Sequence, residues 1–239
     1  MMPADTVREA VADRPVEGAV CLEAGAGTGR MSAALLEAGA AAVYAVTDDP
    51  DHAAAVRERF DDRRLTVLRG DLRTTPLPAD SVDLVTAHAL FNVLPPAATA
   101  GVAAELTRVA RPGADLVVDD YVPVPASAPI RRLFAVENAA AELAGGEPAL
   151  TFYSAAGLRR LFAGHGWRRD RTRTLLDPVP WHADLVDAHL SVVRETVADL
   201  EDELADELLA EARRRADAAR DTSVGEMYSL ALSLPAEPE

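Results

Sequence analysis

The chain has one cysteine, no lysine and few aromatic residues. Cys21 has no partner for an intramolecular disulfide, and it lies in an apolar run typical of a buried strand, so we expect a reducing compartment. All 24 residues of the Lys and Arg total are arginines, against 39 Asp and Glu, which gives a net charge of -15. Aromatic residues make up 5% of the 239 residues, so Val, Leu and Ala must form most of the core. That composition favours sheets covered by helices.

Long apolar runs are also missing. No stretch reaches the roughly 18 apolar residues of a membrane helix, and the segment 1–5 has neither the basic start nor the apolar stretch of a signal peptide. We therefore expect a cytoplasmic protein with no membrane partner. An acidic chain of this kind lacks the basic surface that a nucleic-acid binder needs, so we expect no nucleic acid as a partner. Two interpretations of the acid excess remain open, a salt-adapted cytoplasm or an ordinary acidic protein from a GC-rich genome.

Short apolar runs alternate with helical patterns from residue 19 to about 121. This alternation predicts parallel strands joined by right-handed crossovers, hence a doubly wound α/β sheet. Strands are predicted at 19–23, 42–46, 65–68, 82–86 and 115–119, and helices at 30–37, 52–60 and 97–110.

The pattern changes after residue 121. A Pro-rich connection precedes an amphipathic segment at 130–143, which could cover the sheet edge as a lid, and a helix at 154–163 has Ser154 as its N-cap. Strands are predicted at 167–175 and 226–234. The segment 182–220 between them is strongly helical, with apolar residues at steps of three and four. This apolar stripe has three possible fates: packing on the parent sheet, a dimer seam, or one wall of a ligand pocket.

A glycine-rich turn, Gly25-Ala26-Gly27-Thr28-Gly29, joins the first predicted strand to a helix. Glycines at this spacing let backbone approach a nucleotide-like ligand, although a tight turn without a ligand has the same pattern. Dinucleotide enzymes carry a third glycine where this chain has Arg30. Glu23, just before the turn, is a poor neighbour for a pyrophosphate and a good partner for an ammonium or sulfonium cation.

The run from Val20 to Arg30 resembles the first motif of class I S-adenosylmethionine-dependent methyltransferases, specifically those acting on small molecules. The resemblance implies one domain over 1–239: a cofactor-binding core at 15–121, a lid and helix region at 122–166, and at 167–239 the last two strands with a helical insertion. It also implies a mostly parallel seven-stranded sheet with helices on both faces and an antiparallel last strand.

The same resemblance assigns cofactor-binding residues along the chain. It implies that the turn wraps the methionine portion of S-adenosylmethionine while Glu23 orients its amino-acid end. In the family a carboxylate ends the second strand and holds the ribose; Thr47 occupies that place here, so Asp48 either takes the ribose or helps to cap the next helix. The residues implied to contact the cofactor are Glu23, Gly25, Ala26, Gly27, Gly29, Thr47, Asp48, Asp71, Leu72 and Ala87, with Asp71 accepting from the adenine amino group.

The resemblance predicts in-line methyl transfer to a small-molecule acceptor, for which alignment can suffice without a base. His88 is the predicted base where one is needed, ahead of Asp120 and Tyr121, while a structural role for His88 stays open. We expect no metal, because the five His residues are scattered, and a monomer or homodimer. Two alternatives are a non-catalytic cofactor-binding protein and a nicotinamide-dependent oxidoreductase.

Overall fold

The fold was taken from a computed structural model, which describes residues 5–236. Most of the 1–5 segment used in the signal-peptide prediction, and both ends of the predicted domain 1–239, lie outside these residues. The helices are α1 Asp5–Val11, α2 Arg30–Glu37, α3 Pro50–Arg59, α4 Thr99–Val109, α5 Pro129–Gly145, α6 Ala155–Ala163, α7 Ala183–Thr196 and α8 Asp202–Ala219. The strands are β1 Val20–Ala24, β2 Ala42–Thr47, β3 Leu65–Arg69, β4 Val82–His88, β5 Ala110–Tyr121, β6 Arg168–Leu176, β7 Pro180–Trp181, β8 Thr222–Ser223 and β9 Met227–Ser233.

Seven strands form one sheet in the order β3-β2-β1-β4-β5-β9-β6. Neighbouring strands from β3 through β5 pair in parallel, whereas β9 is antiparallel to both β5 and β6. The predicted mostly parallel sheet with an antiparallel last strand is confirmed. The strand order reverses between β1 and β4, and ligands of open α/β sheets bind at such a switch point, beyond the carboxyl ends of the strands.

Successive residues of the central strands point to opposite faces of the sheet, and both faces are covered. Leu84 and Val117 belong to one buried cluster, which also contains Met31 of α2, Leu133 of α5 and Val186 of α7. The residues that follow them along β4 and β5 belong to a second cluster with the apolar sides of α4 and α6. Helices on both faces are therefore confirmed.

Several predicted boundaries were wrong by a few residues, for identifiable local reasons. α3 begins at Pro50 rather than residue 52, because the Asp49 carboxylate accepts from the backbone N–H groups of Asp51 and His52. α4 ends at Val109, since Ala110 is already extended and pairs with Val82, so β5 starts five residues before the predicted 115. The predicted Ser154 cap is confirmed, its hydroxyl accepting from the Gly157 N–H.

The helical segment predicted at 182–220 is confirmed, and it consists of two helices. A 3-10 turn at Val197–Asp199 follows α7, and Leu200 is extended with φ of -95°. Asp202 and Glu203 then lie in the first turn of α8, where negative charge complements the helix dipole. The two helices pack against α5 and against each other, which buries most of the apolar stripe of α7 and the alanines of α8, while Leu204 of α8 is 37% exposed.

Candidate functional site

The glycine-rich turn leaves β1 and ends at Gly29, the N-cap of α2. Gly25, Gly27 and Gly29 have φ values of 76°, 47° and 75°. A Cβ atom at Gly25 would lie 2.8 Å from Leu90 Cδ1, and one at Gly29 would lie 2.8 Å from Phe60 Cε2. A Cβ at Gly27 would meet nothing within 4 Å. Two of the glycines are thus required by protein packing, while the third faces open space.

Glu23 lies at the end of β1, with 3% of its surface exposed. The Ser32 hydroxyl of α2 donates a hydrogen bond to its carboxylate. Burial raises the pKa of Glu23 to about 8, although hydrogen bonds from the Ser32 side chain and from the backbone of Ser32 and Met31 act in the opposite direction. A cationic ligand group close by would shift Glu23 toward its ionised form.

A cleft of about 630 Å³ opens at the carboxyl ends of β1, β2 and β3. Its walls include Gly25, Thr47, Asp48, Asp71 and Leu72, so half of the predicted cofactor-binding residues meet there. The volume falls within the range of about 300–1,000 Å³ usual for small-molecule sites. The cleft therefore fits a nucleoside-sized ligand at the switch point.

The remaining predicted residues do not line this cleft. Ala26 is 2% exposed and Ala87 is fully buried, paired with Ala24 across the β1–β4 ladder. Glu23 lies below the turn, and the turn itself supplies Gly27 and Gly29.

Asp48 and Asp49, which follow β2, have different surroundings in the structure. Asp49 caps α3, with its carboxylate 2.7 Å from the Asp51 nitrogen, whereas Asp48 lines the cleft. The Thr47 hydroxyl is buried and accepts from the Asp49 N–H at 3.3 Å. The interpretation that both acids serve as caps is therefore wrong, and Asp48 is the carboxylate on the cleft side.

Asp71 follows β3 and forms a two-point ion pair with Arg73. The Arg73 Nε and Nη2 atoms lie 2.9 Å and 2.7 Å from Asp71 Oδ2. The guanidinium and the backbone N–H of Arg73 lower the pKa of Asp71, so the side chain is an acceptor at neutral pH. Arg73 also lines the cleft and holds this carboxylate in place.

His88 ends β4 and is held by the next strand. Its Nδ1 lies 3.0 Å from Oδ2 of Asp119, which is completely buried. Among the described residues, neither His88 Nε2 nor Asp119 Oδ1 has a hydrogen-bond partner. The ring lines neither the large cleft nor the second cavity described below.

Asp120 and Tyr121, the other predicted titratable groups, are buried at the end of β5. Burial raises the pKa of Asp120 to about 7, and its carboxylate accepts from the Asn92 N–H at 3.0 Å. Burial also raises the pKa of Tyr121, with the Asp120 charge acting in the same direction.

A second, smaller cavity of about 170 Å³ adjoins the cleft, and Val93 lines both. Four of its walls are aromatic and one is an imidazole; the lining residues are Ala89, Asn92, Val93, Tyr121, Phe134, Phe152, Trp181, Leu185 and His189. Sequence reasoning did not single out His189, whose only sequence signal is its place beside the apolar stripe of α7.

Residues 22–118 match the protein family described as a methyltransferase domain. Among curated proteins, none matches the chain significantly. No helix in the range 5–236 is long and apolar enough to cross a bilayer. Over the same range, no group of three or more His, Cys, Asp or Glu side chains is arranged to hold a metal ion.

Solved structures share the fold over nearly the whole chain. The [4+2]-cyclase SpnF is 20% identical with a TM-score of 0.68, covering 97% of this chain and 81% of its own. The cyclopropane synthase MmaA2 from Mycobacterium tuberculosis is 15% identical with a TM-score of 0.64, covering 96% and 82%. A geranyl diphosphate methyltransferase in complex with S-adenosylmethionine is 15% identical with a TM-score of 0.60, covering 97% and 84%. Identities this low establish the fold alone.

The fold, the cleft at its switch point and the family match define a class. Residues 22–118 carry a methyltransferase domain, and the seven-stranded sheet has the fold of the class I, S-adenosylmethionine-dependent methyltransferases. These findings confirm the methyltransferase resemblance found in the sequence at the level of domain and fold.

Proposed function

We propose that the protein transfers the methyl group of S-adenosylmethionine to a small-molecule acceptor by in-line displacement. The supporting observation is that two cavities share Val93 as a lining residue, a cleft large enough for a nucleoside and a smaller cavity walled by aromatic side chains. A compact acceptor in the second cavity would be held next to the cofactor, and holding the reactants in line is the main catalytic requirement.

In this proposal, different residues of the chain contact different parts of the cofactor. The turn Gly25 to Gly29 and Glu23 hold the amino-acid end, Asp48 takes the ribose in place of Thr47, and the backbone at Ala87 passes the reactive methyl. Asp71, kept ionised by Arg73, accepts from the adenine amino group, and Leu72 packs against the ring. His88, oriented by Asp119, stays a predicted base, although its ring lines neither cavity.

Calorimetric titration with S-adenosylmethionine, S-adenosylhomocysteine and NAD tests the cofactor assignment. We expect both adenosyl compounds to bind with one site per chain and NAD to bind negligibly. Asp48→Ala should weaken S-adenosylhomocysteine about tenfold, since a lost hydrogen bond to a charged group costs on the order of 1.5 kcal/mol. Asp51→Ala, which removes an exposed carboxylate from the first turn of α3, is the matched control.

The same titration contains the results that would overturn the proposal. Tight binding of NAD alone would favour the alternative that the protein is a nicotinamide-dependent oxidoreductase. Unchanged affinity in Asp48→Ala would remove the ribose role from that residue. Cofactor binding without S-adenosylhomocysteine production across a panel of hydroxyl, amine and thiol acceptors would favour a non-catalytic protein, or another chemistry on this fold such as the cyclisation named for SpnF.

A further inference from the structure

The second cavity contains a buried acid–imidazole pair that the predicted site does not use. His189 of α7 lines the cavity, and its Nδ1 lies 2.9 Å from Oε2 of Glu137 on α5. Glu137 is 3% exposed, whereas the His189 side chain is 18% exposed. The carboxylate therefore sits behind the ring, and the imidazole separates it from the cavity.

This arrangement fixes which nitrogen of His189 is available. A carboxylate can only accept, so Nδ1 carries the proton toward Glu137 and Nε2 keeps a lone pair. Within residues 5–236, Nε2 has no hydrogen bond, and it is absent from the buried unpaired atoms. The ring lines the cavity, and Nε2 is the His189 nitrogen left to accept a hydrogen bond from a bound group.

Aromatic rings surround the imidazole. The Phe134 ring centroid lies 4.8 Å from that of His189, 5.2 Å from that of Phe152 and 5.4 Å from that of Trp181. The Trp181 indole N–H is already committed to the Val224 carbonyl at 2.9 Å. An apolar cavity of about 150 Å³ holds one benzene molecule, so the 170 Å³ here accommodates a single ring.

The absence of charged side chains from the cavity lining limits the chemical class of acceptor that can bind. None of the described residues that line this cavity is Asp, Glu or Arg, so it offers neither a facing carboxylate for an ammonium group nor a guanidinium for an acid. Rings favour a flat apolar body, and His189 favours one acidic hydroxyl group.

We propose that this cavity binds a small phenol and that His189, oriented by Glu137, accepts the proton of its hydroxyl group. The assignment rests on the proposed function. The phenol oxygen forms a bond to the methyl carbon, the carbon–sulfur bond breaks, and its electron pair goes to sulfur, giving neutral S-adenosylhomocysteine. The hydroxyl proton moves to His189 Nε2, and the Glu137 carboxylate stabilises the imidazolium.

The test uses 4-nitrophenol as the probe, because its anion absorbs visible light and its neutral form does not. The protein is saturated with S-adenosylhomocysteine at a pH below the pKa of the free probe. Difference spectra are then recorded as the probe is added. We expect the wild type to bind one probe molecule and increase the phenolate band. His189→Gln should abolish the band increase and weaken binding at least tenfold.

Two further variants separate proton acceptance from packing. Glu137→Gln can donate to Nδ1 and thereby turn Nε2 into a donor, so we expect the probe to bind as the neutral phenol. His182→Gln changes an exposed histidine at the start of the same helix and should match the wild type in both readouts. In turnover with a phenol acceptor, His189→Gln should lower kcat at least a hundredfold, with a much smaller effect on KM.

The outcomes distinguish the two proposals. Normal S-adenosylhomocysteine binding without nitrophenol binding would overturn the phenol assignment and leave methyl transfer intact, whereas failure to bind S-adenosylhomocysteine would overturn the proposed function itself. Preferential binding of tetramethylammonium would assign the aromatic cavity to a cationic acceptor instead. A phenolate band that survives in His189→Gln and disappears in His88→Gln would transfer the role of base to His88.

Discussion

Glu23 is a buried carboxyl group, and its burial makes the free energy of unfolding depend on pH. In the folded chain its pKa is about 8, against a usual value of 4.5, so between these values the folded state keeps a proton that the unfolded state has lost. The free energy of unfolding therefore falls as pH rises through this window, by up to about 1.4 kcal/mol per pH unit for one proton. Asp120, raised to about 7, adds a contribution of the same sign.

Glu23→Gln removes the titrating group while keeping an oxygen to accept from Ser32. We expect urea unfolding to show a shallower loss of stability between about pH 5.5 and about pH 8.5 than in the wild type. Glu17→Gln, which removes an exposed carboxylate, controls for the change in net charge. Equal slopes in wild type and Glu23→Gln would mean that the buried carboxyl is not the group responsible.

Gly27 is the turn residue whose substitution should act on the cofactor. A side chain there would enter open space, so Gly27→Val should abolish measurable S-adenosylhomocysteine binding by blocking the ligand path. The variant also carries backbone strain, because φ is 47°. Gly113→Val is the matched control, since Gly113 has a φ of 86° and an equally open Cβ direction in β5, away from the cleft-lining residues.

Calorimetry on both variants, with circular dichroism to verify folding, separates the two effects. Loss of stability alone should appear in both variants, and loss of binding only in Gly27→Val. A folded Gly27→Val protein with wild-type affinity would contradict the placement of the cofactor along this turn.

Among the elements, α8 is joined to the domain by a stripe of alanines. Ala212, Ala216 and Ala219 are fully buried in the cluster shared with α5 and α7, whereas Ala218 is exposed. Ala216→Leu should destabilise the protein by about 1–3 kcal/mol through overpacking. Ala218→Leu places the same side chain in solvent and should change stability by less than about 0.5 kcal/mol.

Chemical denaturation measures the difference between these two leucine variants, and light scattering reports their mass. Equal stability of the pair would contradict the packing of α8 against α5. A change of mass in Ala218→Leu alone would indicate that the outer face of α8, rather than its buried face, joins two copies.

For the whole molecule, the net charge of -15 is the dominant electrostatic property. Some acids are paired locally, as where Arg171 and Arg173 of β6 both bind Asp13 beside α1, but the excess must repel itself at low salt. We expect the melting temperature to rise as KCl increases from about 0.1 M to about 2 M, because a shorter Debye length screens that repulsion.

Scanning calorimetry over this KCl series, with glycine betaine at equal osmolality as the uncharged control, tests the salt adaptation. A similar rise with glycine betaine would point to solute exclusion rather than charge screening. A melting temperature that stays level or falls with KCl would contradict salt adaptation and favour the interpretation of an ordinary acidic protein.

The sequence by itself determined the parallel half of the sheet and the glycine-rich turn. Apolar strands separated by helical patterns specify β1 to β5, and glycine spacing specifies the turn, because both depend on interactions between neighbours in the chain. Asp48, Asp71 and Leu72, which the resemblance assigned to the cofactor, all line the cleft, and their contact with the cofactor stays a prediction.

Only the tertiary structure decided the second cavity and its chemistry. Glu137 and His189 are 52 residues apart, on helices whose relative position depends on the packing of α5 against α7, and no sequence spacing records that contact. Local patterns thus specify strands and turns, whereas the second cavity arises from side chains that meet only when distant helices pack on the finished sheet.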